Sequence, residues 1–153
     1  MAVPRTAITL LMADDDEEDR LLARDALRES RLLNDLRFVE DGEELMDYLH
    51  CRGRYSDHES APRPGLILLD LNMPRKDGRE ALAEIKADPE LKKIPVVILT
   101  TSKREEDIVR SYLDGANSFI VKPVTFEGLV EVMRAVGHYW LDIVDLGGQE
   151  AVG

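Results

Sequence analysis

The chain reads as an α/β protein, a doubly wound parallel sheet covered by helices on both faces. The main observation is an alternation. Five short apolar runs, each four to six residues long, are separated by stretches whose apolar residues recur at helical spacing. Strands that alternate with helices in this way form a parallel sheet with right-handed crossovers. The second observation is size. With 153 residues and 44% apolar content, the chain is long enough for one full core in one domain.

In chain order, residues 8–13 form the first expected strand. Residues 17–30 form a helix, with Leu22 and Ala26 four apart and Ala23 and Leu27 four apart. Residues 36–39 are a weaker strand, and 42–50 a helix carrying Leu45, Tyr48 and Leu49. The stretch "CRGRYSDHESAPRPG" (51–65) bears Gly, Pro and Ser and reads as a surface loop. Then come the strand "LILLD" (66–70) and a helix over 78–90 that stops near Asp88-Pro89. The strand "PVVILT" (95–100), a helix over 105–113, and the strand "SFIV" (118–121) follow. A long helix begins at Thr125. The domain is expected to span residues 1–144, and 145–153 read as a flexible tail.

Charge and cysteine content narrow the function. A net charge of −11 disfavours general binding to nucleic acid or to anionic membrane. A cation, or a basic surface on another protein, suits it better. The single cysteine, Cys51, allows no internal disulfide and fits a reducing cytoplasm. No apolar run approaches the ~20 residues of a membrane span, and the start turns acidic too early for a signal peptide. A cytoplasmic location is the expectation.

In open parallel sheets, ligands bind beyond the carboxyl ends of the strands. The residues there are Asp14 and Asp15 after the first strand, Asp70 at the end of the third, Thr100 or Thr101 after the fourth, and Lys122-Pro123 after the fifth. The first cluster belongs to "MADDDEEDR", in which six of nine residues are carboxylates. Asp16 sits where a helix N-cap belongs, Asp16-x-x-Asp19 has the spacing of a capping box, and Glu17 and Glu18 suit the first helical turn. That leaves Asp14 and Asp15 without a helical role. If the first and third strands are adjacent, both converge with Asp70, and converging carboxylates either share protons or hold a hard cation. Mg²⁺ prefers oxygen ligands and keeps several waters, so two or three protein oxygens suffice. A lysine and a threonine hydroxyl on the same edge complete a phosphoryl-transfer set.

The ordered set Asp14-Asp15, "LLDLNMPRKDG" with Asp70, "IPVVILTT" with Thr100 and "GANSFIVKP" with Lys122 resembles a response-regulator receiver domain, over about residues 8 to 140. The long 51–65 loop, "RPGLILLDLNMPRKDGREAL" and "HYWLDIV" resemble, more narrowly, the stand-alone receivers paired with bacterial phytochrome kinases. The resemblance implies a flavodoxin-like fold of strand order 2-1-3-4-5. It implies that Asp70 accepts a phosphoryl group from the phosphohistidine of a sensor histidine kinase. Asp14, Asp15, Asp70 and the backbone carbonyl of Asn72 would hold Mg²⁺, while Thr100 and Lys122 would contact the phosphoryl oxygens. Phe119 stands at the family's switch aromatic. Thr100 and Phe119 would then bias a surface made by the 105–113 helix, the fifth strand and the final helix. Such a protein is a phosphoacceptor in signalling. It assists only its own phosphorylation and dephosphorylation and is not otherwise an enzyme. The third aspartate permits an Asp15/Asp16 register, but the helix-start spacing assigns Asp16 to the cap.

Two other readings compete. "DDD", a later Thr and a Lys also resemble haloacid-dehalogenase-type phosphatases, with the first Asp as nucleophile and Asp16 as acid. Glu18 stands where that family has Thr or Val, and Asp70 is left unexplained. The other is a receiver that only scaffolds, against which the intact acid set and Lys122 speak. The final helix adds an expectation of its own. One core needs an apolar arc of ~100° or somewhat more, whereas this helix carries roughly 200° by a helical-wheel count. Val132, Val136, Tyr139, Trp140 and Ile143 are therefore expected to join two chains across a two-fold axis.

Overall fold

A computed structural model describes residues 9–29, 35–57, 61–70, 73, 78–100, 118–121, 123 and 125–136. Strand β1 (Leu10–Ala13) lies between β2 (Leu36–Val39) and β3 (Leu66–Asp70), and β4 (Val96–Thr100) and β5 (Ser118–Val121) continue the sheet. All pairings are parallel, in the order β2-β1-β3-β4-β5. This is the flavodoxin-like order expected from the sequence.

Alternation along the strands divides the core in two. Leu11, Ala13, Ile67, Leu69, Val96 and Ile98 face one side. There they meet α2 (Gly42–Leu49) through Leu45, Met46 and Tyr48, and α3 (Gly78–Ala87) through Ala81, Leu82 and Ile85. Leu10, Met12, Leu66, Leu68, Val97 and Leu99 face the other side. They meet α1 (Glu17–Glu29) through Ala23, Ala26 and Leu27, and the final helix, α4 (Phe126–Val136), through Val130, Met133 and Val136. Burial on both faces explains why β1 and β3 read as unbroken apolar runs. Among the described residues, no helix is long and apolar enough to cross a membrane.

Several expectations are corrected. Leu22 leaves the apolar stripe of α1 and is 37% exposed. Helix α3 ends at Ala87, at the stop near Asp88-Pro89 that the sequence signals. Asp88 stops it by accepting the N–H groups of Glu90 and Leu91, at 2.8 and 3.1 Å, which starts a short 3₁₀ turn over Leu91–Lys93. Those two donors hold the Asp88 carboxyl below its usual range. Val136 is only 1% exposed, and Val132 packs against the same cluster, facing α1 and the sheet. The side chain of Val136 is therefore not available to a second copy. Tyr139, Trp140 and Ile143, like the expected 105–113 helix and 145–153 tail, lie outside the described residues.

The 51–65 loop is more than a surface excursion. Helix α2 ends in a Schellman motif: the N–H of Arg52 reaches the carbonyl of Asp47 and that of Cys51 reaches Tyr48. Cys51 takes the left-handed conformation, φ 55°, that this motif usually gives to glycine. The chain then folds back over Gly53–Tyr55, burying Tyr55 and Ala61. The Tyr48 and Tyr55 rings lie 5.1 Å apart, and the Tyr48 hydroxyl donates to the Pro62 carbonyl at 2.8 Å. The Tyr55 hydroxyl donates to Glu44 at 2.5 Å. Burial and the Glu44 carboxylate together push the Tyr55 hydroxyl far above its usual pKa.

A prediction follows from that proton. The fold holds it more tightly than the unfolded chain does, so its contribution is full below the unfolded pKa near 10 and is lost as pH rises past that value. In urea titrations, the stability advantage of wild type over Tyr55→Phe should shrink as pH climbs from about 9 to about 12. A constant gap would show that the Tyr55 proton contributes nothing.

Candidate functional site

Strands β1 and β3 run side by side with Ala13 opposite Leu69. The next residue of each chain is an aspartate, so register alone brings Asp14 and Asp70 together at the carboxyl edge. The connection out of β1 goes to one side of the sheet and that out of β3 to the other, which makes this the crevice where ligands bind in such sheets. One ligand oxygen from each of Asp14, Asp15 and Asp70 lies within 4.8 Å of the others. Asp14 is fully buried, Asp70 is 3% exposed, and Asp15 faces solvent.

The backbone at the β1 exit is held on several sides. The Asp14 N–H donates to the Val39 carbonyl at the end of β2, at 3.0 Å. Its carboxylate accepts the Asp16 N–H at 2.9 Å, a local turn that redirects the chain into α1. Its carbonyl accepts Nη1 of Arg20, also at 2.9 Å, and Nη2 of Arg20 lies 3.7 Å from Glu40 of the β2 exit. Asp16 is the helix cap. Its carboxylate accepts the Glu18 and Asp19 N–H groups at 2.9 and 3.3 Å, and its carbonyl accepts the Arg20 N–H. Its side chain is thereby committed, and the three clustered acids are Asp14, Asp15 and Asp70.

Three carboxylates this close repel strongly. Two unit charges ~4 Å apart cost ~4 kcal/mol at an effective dielectric near 20. Hard oxygen donors from two fixed strand ends, with an open side at Asp15, fit a hard divalent cation that keeps some of its waters. Among the other expected site residues, Thr100 ends β4 opposite Val121, at the same carboxyl edge, and Phe119 lies within β5 opposite Ile98. Asn72, Thr101 and Lys122 lie outside the described residues. Sequence reasoning missed Arg20. One signal was present: a cation near the N-terminus of a helix has the macrodipole against it, and so needs another partner.

A parallel five-stranded sheet with an acid cluster at its switch point makes an α/β domain whose strand ends suit a divalent cation. The profile of the response regulator receiver domain matches residues 10–134, and the chain belongs to that family. The response regulator Rcp1 of Synechocystis sp. is 42% identical over 137 residues, which cover 90% of this chain and 91% of its own. The crystal structure of the phosphorylated cyanobacterial phytochrome response regulator RcpA is 43% identical, covers 88% of this chain and 94% of that one, and superposes with a TM-score of 0.78. The Mn²⁺-bound crystal structure of Rcp1 is 40% identical, with coverages of 89% and 96% and a TM-score of 0.76. The dehalogenase reading falls away with this membership. It also needed Asp16 as an acid, and Asp16 caps α1 instead.

Asp70→Asn removes one like charge and keeps the shape. In metal-free buffer the variant should be more stable than wild type by about 1–2 kcal/mol, a part of the repulsion given above. Urea midpoints measure it. A loss of stability would show that the Asp70 carboxylate is itself required by the fold.

Proposed function

We propose that this chain is a stand-alone response regulator that accepts a phosphoryl group on Asp70 from a sensor histidine kinase of the bacterial phytochrome type. The observation that carries the reading is the convergence of Asp14, Asp15 and Asp70 at the β1–β3 switch point. The phosphorylated RcpA structure and the phytochrome role in its name support it.

The chemistry follows from the placement of the acids. Asp70 is fixed at the end of a buried strand, with a carboxylate oxygen as nucleophile. It forms a bond to phosphorus as the P–N bond of the donor phosphohistidine breaks, and the imidazole departs with the electron pair. Asp14, Asp15, Asp70 and the Asn72 carbonyl are the proposed cation ligands, and the existence of a Mn²⁺-bound form of Rcp1 supports a divalent cation as what they hold. Mg²⁺, when bound, supplies positive charge to the transferring phosphoryl oxygens. Lys122 and Thr100 contact those oxygens afterwards. The phosphoryl group adds about −1.5 to −2 of charge, and Thr100 and Phe119 convert that change into a new surface for a partner. The chain is modified by its kinase and turns over only its own phosphoryl group. Self-association through the final helix belongs to the same proposal and falls to Val132, Tyr139, Trp140 and Ile143, since Val136 is buried in the core.

Incubation with acetyl phosphate and Mg²⁺ should add one phosphoryl group, mapped to Asp70 by peptide mass spectrometry. Asp70→Asn, or EDTA, should abolish it. Equal labelling of the variant, or undiminished labelling in EDTA, would overturn the assignment. A phytochrome-linked kinase autophosphorylated from ATP should pass its label to the chain within minutes, and the same Asp70→Asn variant should accept none.

A further inference from the structure

We infer that Arg20 is a positioning residue for the acid cluster, holding the Asp14–Asp15 peptide in the orientation that lets both carboxylates face Asp70. The inference rests on the reading of that cluster as a divalent-cation site.

Asp14 and Asp70 are set by strand register. Asp15 is not, because it lies beyond the strand, is exposed, and has no ladder partner among the described residues. Its direction depends on the peptide that joins it to Asp14. A peptide unit is planar, so the Asp14 carbonyl and the Asp15 N–H share one plane. Fixing that carbonyl fixes the direction in which the chain leaves Asp14. Nη1 of Arg20 donates to this oxygen at 2.9 Å. The guanidinium is itself anchored, since Nη2 lies 3.7 Å from the Glu40 carboxylate and the side chain is 17% exposed. The Glu40 backbone is fixed in turn, its N–H donating to the Glu44 carboxylate at 2.7 Å. The planar fork of arginine makes both contacts at once, whereas lysine offers a single point of charge.

Arg20 does not help a cation by attraction. Its charge repels one, and the nearby Glu40 carboxylate offsets that charge. The sign of a substitution effect therefore separates positioning from electrostatics. If charge dominates, removing Arg20 tightens cation binding. If position dominates, removal weakens it.

The experiment is a Mn²⁺ titration followed by the electron paramagnetic resonance signal of the free ion. Arg20→Ala and Arg20→Gln should raise the Kd for Mn²⁺ about tenfold, as loss of a partner that orients a metal ligand typically does. Arg20→Lys should fall between them and wild type. Circular dichroism and urea titration in EDTA check that each variant is folded, and the Gln and Lys variants keep the test open if Ala does not fold. Arg37→Gln removes the same charge from the Arg37–Asp35 pair at the opposite end of β2, and should leave the Kd unchanged. A Kd within twofold of wild type in the folded Arg20 variants, a lower Kd, or an equal rise in Arg37→Gln would overturn the inference. Asp70→Asn separates the two levels. If it abolishes Mn²⁺ binding while the Arg20 variants bind normally, only the role of Arg20 falls. If it too binds normally, the cation reading of the cluster falls and the role of Arg20 with it.

Discussion

The parallel pairing of β1 with β3 sets the geometry of everything near the site. Ala13 lies opposite Leu69, so the acids that follow them cannot avoid one another. A shift of one residue would turn every side chain to the opposite face. For β1 it would put Leu11 and Ala13 among the partners of α1 and send Leu10 and Met12 to the other side. The two apolar clusters therefore lock the register, and the register locks the acids. The crowding of Asp14 and Asp70 at the carboxyl edge is a result of core packing on both faces.

Around that edge the chain satisfies polar groups locally. Asp16 caps α1, and Asp41 caps α2 by accepting the Glu44 N–H at 2.8 Å. Glu44 answers by accepting the Glu40 N–H with one oxygen and the Tyr55 hydroxyl with the other. The exits of β1 and β2 are thus connected through Arg20 and Glu40, and the β2 exit is connected through Glu44 to the 51–65 segment. These contacts span three elements that the sheet alone would leave independent at their ends.

The strands were legible because burial on both faces makes each an unbroken apolar run, and the strand-end acids were legible because they interrupt those runs. Asp16 was legible as a cap from spacing alone. What stayed hidden needs tertiary neighbours. Tyr55 and Ala61 sit in a segment rich in Gly, Pro and charge, where composition argues for exposure. They are nonetheless buried, because Tyr48 offers one a ring to pack on and Glu44 accepts its hydroxyl. Leu22 has the right spacing to be buried, yet Ala23, Ala26 and Leu27 suffice to seat α1. In the final helix Val130, Met133 and Val136 face the chain's own sheet, with Leu129 and Val132 packed beside them, so the described part of the wide apolar arc is in large measure core. A helical wheel counts apolar residues and does not say how much of the arc one sheet and one neighbouring helix cover.

The order of the strands also bears on how the molecule assembles. Leu10 pairs with Leu66 only after the chain has passed through α1, β2 and α2. Closing so long a segment carries an entropic barrier, and non-local parallel pairing is slow for that reason. In the extended chain Asp70 is far from Asp14 and Asp15. Their mutual repulsion is absent there and appears as β1 docks on β3. Dissolved salt screens charges as they approach through water, over a Debye length of ~10 Å at 0.1 M. Ionic strength therefore bears on the docking of β1 against β3 through the same three carboxylates that make the site.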